Sequence, residues 1–196
     1  MEFAGKRMYV YCAKLGAVGV SADDGALLWK LPDWKISIAT VPSPLPIGGG
    51  KIFFTGGYGA GSLMVQLKEE NGKFDVQKVF KLEPTVFGST QHTPIFYNNH
   101  IFGVRADGQF VCLTTDGKVV WTSSPKNQYG LGPFLLADDL FYVLADTGKL
   151  SLIQADTTEF KLLSQAKVLD ANEAWGPMAL VDGCLLLRDY TTLVCL

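Results

Sequence analysis

The chain has 196 residues, 48% of them hydrophobic, with 17 Lys plus Arg against 19 Asp plus Glu and a formal charge of −2. That is ample apolar material for a buried core and argues against a disordered chain. Neither sign of charge forms a long run, so no nucleic-acid-binding surface is expected. The most apolar stretches, such as Leu140 to Ala145 and Cys184 to Leu187, fall far short of the roughly 20 residues of a membrane-spanning helix.

In chain order, the N-terminus carries Glu2, Lys6 and Arg7 and lacks the apolar centre of a signal peptide. An export signal would therefore lie outside this sequence. Strand-like runs follow at Met8 to Ala13, Ala17 to Ser21 and Ala26 to Lys30. From there a unit recurs: a proline with an apolar residue behind it appears at Pro46-Ile47, Pro94-Ile95, Pro133-Phe134 and Pro177-Met178, spaced by 48, 39 and 44 residues. After each comes a polar turn and then an apolar run, Ile52 to Thr55, Ile101 to Arg105, Leu140 to Ala145 and Cys184 to Arg188. A second turn leads to Leu63 to Leu67, Phe110 to Thr114, Leu150 to Gln154 and Thr192 to Leu196. A third leads to Val76 to Leu82, Val119 to Thr122 and Phe160 to Ser164. The unit is a four-stranded meander, and the expected total is eighteen strands, with the first unit lacking its opening strand and the last its closing one. No stretch sustains a helical apolar period; Lys161 to Asn172 is the best helical candidate. Strand-rich repeats of this length are the signature of propellers.

Two units carry a sharper motif. Asp24-Gly25 is followed four residues later by Trp29, and Asp116-Gly117 by Trp121. Asp-Gly between apolar runs is a hairpin signal, because glycine accepts the positive φ of the turn. Each tryptophan then ends an outer strand, where its ring is expected to be buried against a neighbouring sheet. The pattern resembles the tryptophan-docking repeat of pyrroloquinoline-quinone-like (PQQ-like) β-propellers. That resemblance implies an all-β fold of four-stranded antiparallel blades, about four to five of them in an open partial ring. It implies one partial propeller domain over 1–196, with units at approximately 1–31, 36–82, 89–122, 129–166 and 173–196. It also implies a periplasmic or extracellular location, and self-association or the remainder of a longer propeller to cover the terminal blades.

The family resembled includes quinone-dependent alcohol and sugar dehydrogenases, a non-enzymatic outer-membrane assembly lipoprotein, and sensor or scaffold domains, so fold does not give function. The dehydrogenases hold pyrroloquinoline quinone with calcium, a stacked tryptophan and often an adjacent cysteine pair. Here Cys12, Cys112, Cys184 and Cys195 are far apart, and each reads as a small buried hydrophobe rather than a metal or redox ligand. No cofactor is predicted, and pyrroloquinoline quinone with calcium belongs only to the alternative reading, a dehydrogenase fragment. The leading reading is a non-catalytic binding or scaffold module for a protein, peptide or carbohydrate.

In a propeller the loops joining strands two and three share a face with those linking successive blades. The first set holds Lys14, Tyr58, Arg105, Asp107, Asp146, Asp189 and Tyr190, and the second Trp34, Phe87, Gln91, His92, Tyr129, Asn172 and Trp175. Aromatic and arginine side chains there suit stacking and forked hydrogen bonds to a ligand; the bland alternative is turn residues and packing aromatics. Thr55 to Ser62 is glycine-rich but has neither phosphate-loop spacing nor a following helix. It is expected to be a flexible loop on that face. His92 and His100 lack the companions of a zinc site.

Overall fold

Two-residue turns set the framework. Ala4-Gly5, Asn71-Gly72, Asn98-Asn99, Asp138-Asp139 and Asp182-Gly183 all have positive φ at both positions, the type I′ geometry whose twist matches a tight antiparallel hairpin. In the computed structural model, which describes residues 1–196, these and longer turns produce nineteen strands and no helix. Every sheet is an antiparallel meander in sequence order.

The first sheet is β1 (Glu2–Phe3), β2 (Lys6–Ala13), β3 (Gly16–Ser21) and β4 (Leu27–Leu31), and the second is β5 (Leu45–Gly48), β6 (Lys51–Gly56), β7 (Gly61–Glu70) and β8 (Lys73–Leu82). The third is β9 (Ile95–Tyr97), β10 (His100–Val104), β11 (Phe110–Thr114) and β12 (Val119–Thr122). The fourth is β13 (Phe134–Ala137), β14 (Leu140–Leu144), β15 (Lys149–Gln154) and β16 (Leu162–Lys167), and the last has three strands, β17 (Ala179–Val181), β18 (Cys184–Arg188) and β19 (Leu193–Cys195). This is the blade of a β-propeller, repeated.

Two expectations are corrected. The first unit does have its opening strand: β1 pairs Glu2 with Arg7 and Phe3 with Lys6, too short a run to show periodicity. Lys161 to Asn172 is not helical; its first half is β16, which pairs along β15 from Lys149–Lys167 to Ile153–Leu162. An open strand edge with hydrogen-bonding partners outweighs a weak helical preference.

Contacts divide the chain into two compact units, Met1–Phe96 and Tyr97–Leu196. In the first, Met8, Trp29, Leu31, Trp34, Ile52, Phe54, Leu63 and Val65 belong to one buried cluster. Residues 52–56 and 61–65 are buried without alternation, as expected for strands covered on both faces. In the second unit, Phe102, Phe110 and Phe141 are fully buried with ring centroids 4.8–6.5 Å apart. Another cluster there joins Leu144, Leu169, Ala174, Leu185 and Leu187.

A register shift recurs between the third and fourth strands of all four complete sheets, at Gly19/Val20, Met64/Val65, Cys112/Leu113 and Leu152/Ile153. Such bulges add twist to the outer strand. Both docking tryptophans are buried, Trp29 4% and Trp121 7% exposed. The Trp29 indole donates to Met8 Sδ at 3.4 Å and lies so close over Gly19 that a Cβ there would overlap it. Trp121 donates to the Asp156 carbonyl at 3.0 Å and packs on Phe160, 5.7 Å between centroids; both belong to the β15–β16 connection of the next sheet.

Candidate functional site

The second-to-third-strand turns of the third and fourth sheets share one hydrogen-bond plan, and the last sheet keeps part of it. In residues 105–109 the Arg105 amide donates to Gln109 and that of Gly108 to Arg105; in 145–149 Ala145 donates to Lys149 and Gly148 to Ala145; in 189–192 Asp189 donates to Thr192. Side chains then divide into those the plan consumes and those it leaves over.

Asp107 is consumed. Its carboxylate accepts from Arg105 Nε and the guanidinium at 3.1 and 2.6 Å, and from the backbone and side chain of Gln109 at 3.1 and 2.6 Å. Partial burial pushes its pKa up, but the Arg105 and Gln109 hydrogen bonds outweigh this and hold it below the ordinary carboxylate value. Asp146 accepts from the Leu131 amide at 3.2 Å and presses against Gly130, where a Cβ would overlap its carboxylate. Asp189 accepts from the amides of Thr191 and Thr192 at 2.8 and 2.7 Å, which lowers its pKa.

The linker residues divide similarly. Trp34 and His92 are buried in the first unit and Tyr129 in the second. Trp34 packs on Phe54, 5.9 Å between centroids. Tyr129 meets Phe110 edge-on at 6.3 Å, and burial pushes its hydroxyl up to about 12. These three turn inward, and of them Trp34 alone reaches a groove at the surface. Lys14 and Tyr58 are exposed at turns of the first unit. The glycine run beside Tyr58 serves close packing: a Cβ at Gly57 would come within 2.7 Å of the Thr90 backbone. Around it the Ser62 hydroxyl donates to the Phe87 carbonyl at 3.0 Å and shares a hydrogen bond with Thr55 Oγ1 at 2.9 Å. The expected flexible loop is thus mostly buried, and only Tyr58 and Gly59 project.

Trp175 and Tyr190 are brought together. They line one open cleft of about 300 Å³ in the second unit, with Glu173, Gly176 and Pro177 of the β16–β17 loop and Arg188 and Asp189 of the β18–β19 turn. Both rings are exposed, Trp175 39% and Tyr190 77%. A Cβ on Gly176 would meet Arg188 Nε at 2.7 Å, so glycine there lets the guanidinium lie across the loop backbone. The cleft thus offers two aromatic faces, one guanidinium and two carboxylates. Arg188 and Glu173 were missed from the sequence; Arg188 ends β18 level with Val104 and Leu144, which end the second strands of the two preceding sheets, so the repeat gave no signal for an arginine there. A second, more apolar groove of about 230 Å³ runs along β8 in the first unit, flanked by Trp34 and the exposed Lys78–Asp33 ion pair at 2.6 Å.

No three His, Cys, Asp or Glu side chains converge to hold a metal ion, and no two cysteines are adjacent in sequence. No helix is long and apolar enough to cross a membrane.

A profile of the family described as outer membrane protein assembly factor BamB matches residues 14–160. No curated protein sequence matches the chain. Among solved structures, BamB from Moraxella catarrhalis is similar with a TM-score of 0.52 at 12% identity, over 96% of this chain and 68% of that one. The quinohemoprotein alcohol dehydrogenase from Comamonas testosteroni reaches 0.64 at 15% identity, over 92% of this chain and 42% of the enzyme. AztD from Citrobacter koseri reaches 0.55 at 14%, over 98% and 56%. At these identities the structures share the fold.

Proposed function

Since the chain belongs to the PQQ-like propeller family of the outer membrane protein assembly factor BamB, we propose that it is a non-catalytic binding module that docks a protein or peptide segment on its loops. The observation carrying this reading is the exposed pair Trp175 and Tyr190 in one cleft with Arg188, Glu173 and Asp189. Exposed aromatics and arginine are the residues that dominate binding hot spots, because they give large contact area and directional hydrogen bonds. A cleft of about 300 Å³ lies at the small end of ligand pockets and has room for one or two side chains of a docked segment. Mixed charge around it favours a segment that carries both a basic and an acidic or amide group. The family's expected location outside the cytoplasm agrees with a role among exported proteins.

The test is an array of peptides drawn from outer-membrane proteins, with a glycan array alongside. Peptides captured by the wild-type chain are expected to bind at least about tenfold more weakly to Trp175→Ala/Tyr190→Ala, the loss of two hot-spot aromatics. Equal capture by the double variant would overturn the cleft assignment, and capture of glycans alone would replace the peptide with a sugar. Pyrroloquinoline quinone with calcium, followed by tryptophan fluorescence and alcohol-dependent dye reduction, tests the dehydrogenase reading. A saturable response in both would refute the non-catalytic one.

A further inference from the structure

The four cysteines, remote from one another in sequence, are sorted by the fold into two kinds. Cys12 and Cys112 are buried, and burial pushes their thiols up to about 11 and about 12, which makes them poor nucleophiles. Cys184 and Cys195 are exposed. Cys184 opens β18 and Cys195 closes β19, opposite Leu186. Leu185 and Leu196 exchange both backbone hydrogen bonds, at 2.8 and 3.0 Å. The next row, Leu186 with Cys195, is therefore a non-hydrogen-bonded one, where side chains stand closer. Strand alternation places Cys184, Leu186 and Cys195 on the same face. The two cysteines are diagonal neighbours there, close enough that the Cys184 side chain pushes the pKa of Cys195 up.

We propose that Cys184 and Cys195 form a disulfide that clasps β19 to β18 under oxidising conditions. Diagonal partners start about 7–8 Å apart at Cα, and a disulfide prefers about 5.5–6 Å, so a movement of about 1–2 Å closes the difference. β19 can supply it: the strand has three residues, none of them buried. In the reaction one of the two thiols gives up its proton, and its thiolate attacks a sulfur of a low-molecular-weight disulfide such as oxidised glutathione. One glutathione thiolate leaves and takes up a proton. The second cysteine, as thiolate, then displaces the other glutathione from the mixed disulfide. The protein's two thiols are oxidised to one S–S bond, and the glutathione disulfide is reduced to two thiols. A location outside the cytoplasm is one where such a bond persists.

The closed loop carries Arg188, Asp189 and Tyr190, so the clasp would fix one wall of the cleft. That consequence rests on the cleft being a binding site; the bond itself does not.

Trypsin provides the test, because it cuts after Arg188, between the two cysteines. The folded chain is equilibrated with oxidised and reduced glutathione, blocked with an alkylating reagent under denaturing conditions, digested and weighed. Expected is a disulfide-linked pair of peptides, residues 168–188 with 189–196, and a fall from four alkylatable thiols to two. Cys184→Ser and Cys195→Ser, checked for an unchanged circular dichroism spectrum, should each abolish the linked pair and leave a single glutathione adduct. Amide hydrogen exchange in β19 should be slower in the oxidised than in the reduced protein. The proposal is overturned if each cysteine of the wild-type chain carries its own adduct, if the bond joins two chains, or if β19 exchange is the same in both states. Peptide capture by the cleft is measured separately, so failure of the clasp and failure of the binding reading are told apart.

Discussion

Replacing Trp121 by alanine removes a ring that joins two blades, and its cost can be built from its contacts. The side chain is 7% exposed, with centroids 5.9 Å from Phe102, 6.0 Å from Phe110 and 5.7 Å from Phe160. Truncating a buried tryptophan costs about 3–5 kcal/mol, transfer and cavity together. Loss of the indole bond to the Asp156 carbonyl adds about 1 kcal/mol where water cannot replace it. Trp121→Ala is therefore expected to destabilise the second unit by about 4–6 kcal/mol, and Trp121→Phe, which keeps most of the packing, by about 1–3 kcal/mol. Urea unfolding followed by far-ultraviolet circular dichroism reads both, and the alanine variant should lower the midpoint more with a similar slope. A loss below about 1 kcal/mol for alanine would show the ring to be peripheral, and would refute the reasoning that the Asp-Gly turn delivers it into the gap between blades.

Two further predictions concern packing and charge. Gly19→Ala, whose Cβ would overlap the Trp29 ring, is expected to cost roughly 1–3 kcal/mol. The same change at Gly25, where φ is +74° but nothing lies within 4 Å, should cost less, and urea midpoints that rank the two the other way would contradict the packing argument. Cys112, pushed up to about 12 mainly by burial and secondarily by the Asp156 carboxylate, stays protonated in the folded chain after the unfolded chain's thiol has ionised near about 8.5. Because the folded value is the raised one, its contribution is fully present below about pH 8.5 and is lost as pH climbs toward 12, at up to about 1.4 kcal/mol per pH unit. Cys112→Ala should flatten stability against pH between about 9 and 11, and equal slopes in the two proteins would refute this.

The sheets were legible because a propeller blade is a local object. Strands that pair only with sequence neighbours leave their turns in order along the chain, and Asp-Gly with a tryptophan four residues on marks the outer hairpin twice. β1 escaped because two residues carry no period, and Lys161–Asn172 misled because an exposed outer strand such as β16, exposed at five of its six positions, shows little alternation. The site was harder to read. Assigning Trp34, His92 and Tyr129 to loops said nothing of which way they point, since direction in a linker is set by packing partners such as Phe54 and Phe110 that the local sequence does not reveal. The closeness of Cys184 and Cys195 was hidden for a related reason: it depends on the register of β18 against β19, and a slip of one residue would have put them on opposite faces.

The turns themselves indicate where function is to be sought. The second-to-third-strand turns of the third and fourth sheets have the same backbone bonds and that of the last sheet keeps one of them, and at Asp107, Asp146 and Asp189 the carboxylate helps to hold the loop. A charged residue in such a turn is thus explained by folding before any ligand is invoked, and Arg105 is explained with it through its ion pair to Asp107 at 2.6 Å. The remainder has no such explanation. Tyr190 follows a turn aspartate where Thr147 follows Asp146 and Gly108 follows Asp107, and it projects 77% exposed. Trp175 stands 39% exposed in a linker, whereas the linker aromatics Trp34 and Tyr129 are buried. Exposed ring area in water is unfavourable by roughly 25 cal/mol per Å² of apolar surface. On the binding reading proposed above, two rings left out by the same scaffold that buries their counterparts, and facing one cleft, are the surface that the docked segment would cover.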